Sequence, residues 1–207
     1  MKIIDLSHAL EVGMTQFPGT PPIEVKQICH YDPDGFRLTD LHSSVHTGTH
    51  CDAPGHYIEG GKMIDELGLD KFVGEAVIID VDTSEGRELP VSILDGKDIR
   101  KDDIVILRTN MSKYWNMEEY ITDYPYLSIE LAERLVELEI KALGMDCLSP
   151  DSVDSDKVHK VILGAEIIAI ENLNNLDQIH VDRFNFYAAP LLISNSEGGF
   201  TRAFAIL

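Results

Sequence analysis

The chain has 207 residues, of which 44% are hydrophobic and 26% charged, and its formal net charge is −19. This length and composition predict one globular domain over residues 1–207, large enough to bury a core without disulfide bonds. The acidic balance repels nucleic acid phosphates and anionic membrane surfaces, so we expect neither as a partner.

The three cysteines, Cys29, Cys51 and Cys147, are irregularly spaced and form no C-x-x-C motif. They predict neither a disulfide framework nor a thiolate zinc site. The opening MKIIDLSHAL has no apolar core of a signal peptide, and no apolar run in the chain reaches the ~18 residues of a membrane span. We therefore expect a cytoplasmic location.

The first 60 residues are rich in turn formers, but residues 42–57, HSSVHTGTHCDAPGHY, concentrate four of the eight histidines. If SVHTGTHCD is an extended strand, His46, Gly48, His50 and Asp52 lie on the same side of it. Gly48 would then leave room for an ion between the imidazoles. Two imidazoles and a carboxylate are a ligand set for zinc, manganese or iron(II).

A helical interpretation of this segment is weaker. His46 and His50 also have the i, i+4 spacing of the H-E-x-x-H zinc proteases, but Thr47 replaces the glutamate of that motif. Gly48 and Pro54 also disfavour a helix. In the extended interpretation, Pro54 and Gly55 turn the chain so that His56 returns toward the same neighbourhood. We interpret the more isolated histidines as structural: His8, His30, His42 and His180.

After this segment, short β-rich runs alternate with helical patterns. Apolar runs predict buried strands at 75–81, 103–109, 141–147 and 167–173, and closing strands at 184–193 and 201–207. The clearest helix is SIELAERLVELEI, residues 128–140, with Ser128 as its N-cap and three leucines on one face. A second short helix begins near Ser155 and ends at Gly164. The pattern predicts an α/β domain with a mixed sheet.

Two later residues are candidates to complete a metal site. His159 lies in the predicted second helix, and Glu171 ends the apolar strand IIAIE. A glutamate that closes a buried strand either reaches solvent or has a cation partner.

The segment HTGTHCDAPGH resembles the H-x-G-T-H-x-D-x-P-x-H signature of the cyclase family, which includes bacterial kynurenine formamidases. Weaker similarities follow in the family's order, in DLSHAL, FPGTP, DKVHKVILGAEIIAIENLNNLDQI and SEGGFTRAFAI. The resemblance covers nearly the whole chain. It implies a swivelling β/β/α domain, assembled as a homodimer or homotetramer.

The resemblance also implies a role for each matching residue. Two divalent ions per chain are implied, zinc or manganese, one held by His46, His50 and Asp52. Asp52 bridges to the second ion, which is also held by His159 and Glu171. His56 is then the catalytic acid/base. The implied reaction is hydrolysis of an aryl formamide, such as N-formylkynurenine, by metal-activated hydroxide.

Two departures from the family pattern concern the substrate. Phe17 replaces a tryptophan that stacks on the substrate in the family, and Thr20 replaces an aspartate. Phe17 is therefore the expected substrate-binding residue, and Trp115 lies in a predicted loop over the site. These changes leave two alternatives to a formamidase: a related hydrolase that opens a cyclic amide or lactone such as isatin, and a non-catalytic metal-binding module.

Overall fold

A mixed β-sheet forms the centre of this computed structural model, which describes residues 1–84 and 86–207. Within those residues nine strands pair in the order β1-β13-β11-β5-β7-β9-β10-β4-β12. The strands of the chain are β1 (Ile3–Asp5), β2 (Glu24–Cys29), β3 (Leu38–His42), β4 (His50–Asp52), β5 (Val73–Asp80), β6 (Glu88–Leu89), β7 (Ile104–Arg108), β8 (Tyr126–Leu127), β9 (Ala142–Met145), β10 (Ile168–Glu171), β11 (Arg183–Tyr187), β12 (Gly198–Phe200) and β13 (Phe204–Ile206).

The four middle strands, β5, β7, β9 and β10, are parallel, and antiparallel strands extend the sheet on both sides. The middle strands are near-continuous apolar runs because both faces of this part of the sheet are covered. On one face Val77, Val105 and Leu143 pack toward the helices, and on the other Ile78 and Ile106 belong to a second core.

Three helices cover one face of the sheet: α2 (Glu119–Thr122), α3 (Ile129–Glu137) and α4 (Lys157–Gly164). The short helix α1 (Tyr31–Asp34) lies between β2 and β3 and buries none of its residues. The side chain of Ser128 accepts a hydrogen bond from the backbone N–H of Leu131, which confirms the predicted N-cap of α3. Leu131 and Leu135 are fully buried, and α3 packs against α4. No helix within the described residues is long and apolar enough to cross a bilayer.

Strands β2 and β3 form a separate two-stranded sheet. Both strands are exposed along almost their whole length. Another small sheet joins β6 and β8 in parallel.

Most predicted elements are confirmed, and two expectations are wrong. The strand predicted over 184–193 ends at Tyr187. The extended run predicted through 44–52 is a strand only at His50–Asp52, because the preceding residues bend around Gly48, whose φ is +64°.

Candidate metal centre

The bend before β4 fixes the orientation of His50. The carbonyl oxygen of Gly48 accepts a hydrogen bond from His50 Nδ1 at 2.8 Å, so Nε2 of that ring faces the site. A left-handed φ favours glycine at position 48, and an added Cβ would lie 2.8 Å from Leu10 Cδ2. The expectation that Gly48 leaves space for an ion is therefore wrong, since the glycine makes room for apolar side chains of the loop between β1 and β2.

Strand β4 presents the first group of possible ligands. His50 and Asp52 share one face, while Cys51 points to the opposite core. His46 is not part of the strand but reaches the same carboxylate from the bend, with 2.7 Å between His46 Nδ1 and Asp52 Oδ1. His50 Nε2 lies 3.3 Å from the same oxygen. His46, His50 and Asp52 together could hold a metal ion.

A second group shares Asp52. Glu171 ends β10 directly opposite His50 in the antiparallel pair with β4. His159 on α4 points its Nε2 toward this strand end, 3.2 Å from Glu171 Oε1 and 3.5 Å from Asp52 Oδ2. Asp52, His159 and Glu171 are all buried and could hold another ion.

Asp151 sets the tautomer of His159. Its Oδ2 accepts hydrogen bonds from His159 Nδ1 and from the backbone N–H of His159, both at 2.8 Å. Its Oδ1 accepts from the backbone N–H of Val158 at 2.9 Å. The carboxylate therefore holds both the first turn of α4 and the ring. Sequence reasoning did not single out Asp151, because nothing in its spacing distinguishes it from the three other aspartates between β9 and α4.

Several buried polar atoms that face this centre make no hydrogen bond within the protein. Among the described residues these atoms include His50 Nε2, His159 Nε2 and Glu171 Oε1. A buried donor or acceptor without a partner is costly, and neutral imidazole nitrogens and carboxylate oxygens are ligands of divalent cations. The donor set therefore fits the two ions that the sequence resemblance implies.

The electrostatics of the centre favour a positive charge. Burial works to raise the pKa of Asp52, but the imidazoles of His50 and His46 hold it well below its usual value. Burial and the neighbouring Asp52 carboxylate raise the pKa of Glu171. Burial opposes the protonation of His50, yet Asp52 and Glu171 raise the pKa of that ring to about 9. Two buried carboxylates this close need cations, which protons or metal ions can provide.

His56 lies beside the ligand groups. The short 3₁₀ turn Pro54–His56 returns it to the site, as the Pro-Gly sequence predicted. Its ring stacks on that of His46, with centroids 4.0 Å apart and planes 23° apart. Burial lowers the pKa of His56 to about 4, so its ring is neutral at neutral pH.

A cavity of about 200 Å³ opens above these residues. Phe17 and Thr20 form part of its wall, with Phe17 37% exposed, and Tyr57 and Leu148 line it as well. Tyr57 stacks on His159, with ring centroids 4.6 Å apart. Sequence reasoning missed Tyr57, although it directly follows the signature histidine.

Gln16 fixes the backbone of this wall. Its amide nitrogen donates to Thr47 Oγ1 at 3.1 Å and to the carbonyl oxygen of Pro21 at 3.0 Å. Its amide oxygen accepts from the backbone N–H of Ile23 at 3.1 Å. Trp115, expected over the site, instead stacks on His8 and is not among the residues that line the cavity.

Comparisons with known proteins identify the family. The Cyclase family model matches residues 4–152. Kynurenine formamidases from Bacillus cytotoxicus and Bacillus cereus are 29% and 31% identical to this chain over 206 residues, covering 97% of it and 95% of each relative. The chain belongs to the cyclase family, as its signature motif predicted.

Solved structures extend the similarity to the fold. Isatin hydrolase A from Labrenzia aggregata has a TM-score of 0.88 at 28% identity, covering 99% of this chain and 93% of that chain. An isatin hydrolase bound to the product analogue thioisatinate has a TM-score of 0.90 at 23% identity, covering 100% of this chain and 92% of that chain, a likeness of fold alone. The predicted fold class is confirmed.

Proposed function

We propose that this protein is a metal-dependent amidohydrolase that converts an aryl formamide, such as N-formylkynurenine, and water into formate and the free amine. The observation that carries the proposal is the pair of ligand groups sharing Asp52 at the base of the cavity, in which the inward-facing imidazole nitrogens make no hydrogen bond. The similarity to kynurenine formamidases along 97% of the chain supports the choice of substrate.

The proposed ligands fall into two sets. His46, His50 and Asp52 would hold one divalent ion, and Asp52, His159 and Glu171 would hold the other. Zinc and manganese both suit imidazole nitrogen and carboxylate oxygen. When bound, such ions polarise a carbonyl oxygen and lower the pKa of water to near neutrality.

His56 is the proposed acid/base. Its neutral imidazole can accept a proton from the attacking water and deliver it to the leaving nitrogen, which needs a proton to depart as an amine. The stack on His46 keeps the ring beside the ligand groups. Phe17 offers an aromatic face at the cavity wall for the aryl part of the substrate.

The substrate assay uses protein loaded with zinc or manganese. Formate release from N-formylkynurenine and from formanilide is compared with ring opening of isatin. Hydrolysis of the formamides is the expected result. Ring opening of isatin alone would favour the second candidate, a cyclic amide hydrolase. The 28% identity to isatin hydrolase A supports this candidate. Metal-loaded protein that hydrolyses none of the three would contradict both.

A substitution tests the role of His56. His56→Ala should retain its metal ions and lose about 10²–10⁴-fold in kcat, the usual contribution of a positioned acid/base. Metal content is measured by elemental analysis and turnover by formate release. The control is His42→Ala, an exposed histidine at the end of β3. If His56→Ala kept the wild-type kcat, the acid/base assignment would be wrong.

The location proposed is the cytoplasm. Cys29, Cys51 and Cys147 are free thiols in the structure. A reducing compartment keeps them so.

A further inference from the structure

The segment that carries Trp115 is clamped to the loop that precedes the cavity wall. The backbone N–H of Thr15 donates to Asn116 Oδ1 at 2.8 Å, and the backbone N–H of Asn116 donates to Thr15 Oγ1 at 2.9 Å. Asn116 Nδ2 also donates to Glu11 Oε1 at 3.2 Å. Beside these bonds the rings of Trp115 and His8 stack, 3.9 Å apart and 12° from parallel.

We call these contacts of Asn116 and Trp115 the clamp. Further contacts connect the clamp to the central sheet. Asp146 follows β9 and is buried, and its Oδ1 accepts from both the backbone N–H and Oγ1 of Thr109 at 2.7 Å. Tyr120 is fully buried and meets Trp115 edge-on, with ring centroids 5.0 Å apart. Its hydroxyl donates to Asn172 Oδ1 at 2.9 Å, next to the proposed ligand Glu171. The Trp115 segment is therefore fixed relative to the carboxyl ends of the strands that carry the site.

The other side of the clamp leads directly to the cavity. Thr15, Gln16 and Phe17 are consecutive, and all three line the cavity. Thr15 is buried, whereas Phe17 is 37% exposed and has less packing to hold it. The position of the Phe17 ring thus depends on how Thr15 is held, in addition to the hydrogen bonds of Gln16.

We propose that Asn116 and Trp115 are positioning residues that fix the distance between the Phe17 wall and the proposed metal ligands, and so set the affinity for the aryl part of the substrate. Neither residue lines the cavity; both act through Thr15 and His8. The choice of an aryl ligand rests on the proposed function, while the clamp rests on the contacts alone.

The test replaces Asn116 by glycine. Asn116 has a left-handed φ of +65°, so glycine keeps the backbone and removes only the side-chain bonds. Asp102→Gly is the matched control, because Asp102 has a φ of +63° and is exposed in the turn before β7, at the opposite end of that strand from the site. Both glycines relax a left-handed position to a similar extent.

Binding is measured on the metal-loaded protein by calorimetry with acetanilide, an aryl amide without a formyl group. Asn116→Gly should raise its Kd roughly fivefold, about the effect of losing the one hydrogen bond that holds the Thr15 backbone N–H, while Asp102→Gly leaves it unchanged. The emission of Trp115, the sole tryptophan, should shift only in Asn116→Gly. The double variant Glu11→Gln/Asn116→Asp exchanges donor and acceptor across the Glu11 contact. It should restore the wild-type Kd for acetanilide and the wild-type emission of Trp115.

Kinetic measurements then distinguish a positioning role of Asn116 from general damage to the protein by the substitution. In Asn116→Gly the KM for formanilide should rise with kcat nearly retained, and kcat/KM for N-methylformamide, which has no ring, should not change. Wild-type affinity for acetanilide in Asn116→Gly would overturn the proposal, and so would a wild-type protein that does not bind acetanilide. Failure of the protein to hydrolyse any formamide would sink the proposed function, and the acetanilide measurement would still decide the clamp.

Discussion

The three histidines of the centre present different ring nitrogens. His50 and His159 both use Nδ1 for a hydrogen bond, to the carbonyl oxygen of Gly48 and to Asp151, so Nε2 faces inward. His46 is reversed, with Nδ1 toward Asp52 and Nε2 3.4 Å from Glu197 Oε1. The neighbours of each ring, rather than the ring alone, decide which nitrogen is free for an ion.

Asp151 should therefore influence metal binding without touching the metal. Asp151→Ala removes the acceptor of His159 Nδ1–H, and we expect the affinity for the ion that His159 would hold to fall about 10- to 100-fold. Competition with a coloured chelator measures this affinity. The control is Asp154→Ala, an exposed aspartate in the same loop. Equal metal affinity in the two variants would contradict the role of Asp151.

His8 should make stability depend on pH. Burial lowers its pKa in the folded protein to about 4 from the usual 6.5. The unfolded chain therefore binds one more proton than the folded chain between these values, and this part of the stability is lost as the pH falls below about 6.5. His8→Phe keeps an aromatic ring against Trp115 and removes the titration.

Urea unfolding at a series of pH values measures this effect. Between pH 6.5 and about 4, the free energy of unfolding should fall less steeply in His8→Phe than in the wild type. His30→Phe, at an exposed histidine, should keep the wild-type slope. Parallel curves for the wild type and His8→Phe would show that His8 titrates alike in both states.

At the scale of elements, regular segments could be predicted and the bend before β4 could not. The strands β5, β7, β9 and β10 follow from apolar runs, and α3 follows from a cap and leucines on one face. The bend at Gly48 depends on Leu10 and Met14, which are distant in sequence and fill the space beside it. Alternation still placed His50 and Asp52 on one face, because those two residues do lie in β4.

The sequence pattern alone does not predict that His159 and Glu171 join the first ligand group. An apolar strand ending in Glu171 is visible in the sequence, but its pairing with β4, which sets Glu171 opposite His50, is a long-range contact. The family resemblance supplied this pairing of His159 and Glu171 with the signature. Asp151 and Gln16 escaped notice because their roles are hydrogen bonds to other site residues, which no local pattern reveals.

The cap of α3 offers a test at this scale. Ser128→Ala removes the acceptor of the Leu131 backbone N–H, and the free energy of unfolding should fall by about 1 kcal/mol. Urea unfolding measures the change, and Ser92→Ala, at an exposed serine, is the control. A loss below the measurement error would mean that packing against α4, rather than the cap, holds this end of α3.

At the scale of the whole molecule, the homo-oligomer stays a prediction. The β2–β3 hairpin offers a candidate contact surface for it. Val25 and Leu41 lie directly opposite each other on one face and are 37% and 46% exposed. An isolated two-stranded ribbon is only marginally stable in water. We propose that a second copy of the chain covers this face, in keeping with the assembly that the family resemblance implies.

Light scattering after size exclusion tests this surface. The wild type should run as a homodimer or homotetramer, and Leu41→Asp should run as a smaller species because it places a charge in the apolar contact. Leu69→Asp, at another exposed leucine, should keep the wild-type mass. The net charge of −19 makes copies repel, so added salt should favour the assembly. A monomeric wild type would refute the proposal.

Because β4 lies between β10 and β12 in the sheet, we expect cation binding to depend on the order in which the strands are synthesised. Strand β4 carries His50 and Asp52 and is synthesised before both of its hydrogen-bonded neighbours, which end at Glu171 and Phe200. When synthesis has reached β9, the nascent chain contains the first ligand group. However, β4 still lacks both of its neighbouring strands. We therefore expect tight binding to begin only after β12 has been synthesised, so that the ions stabilise a folded sheet rather than start its folding.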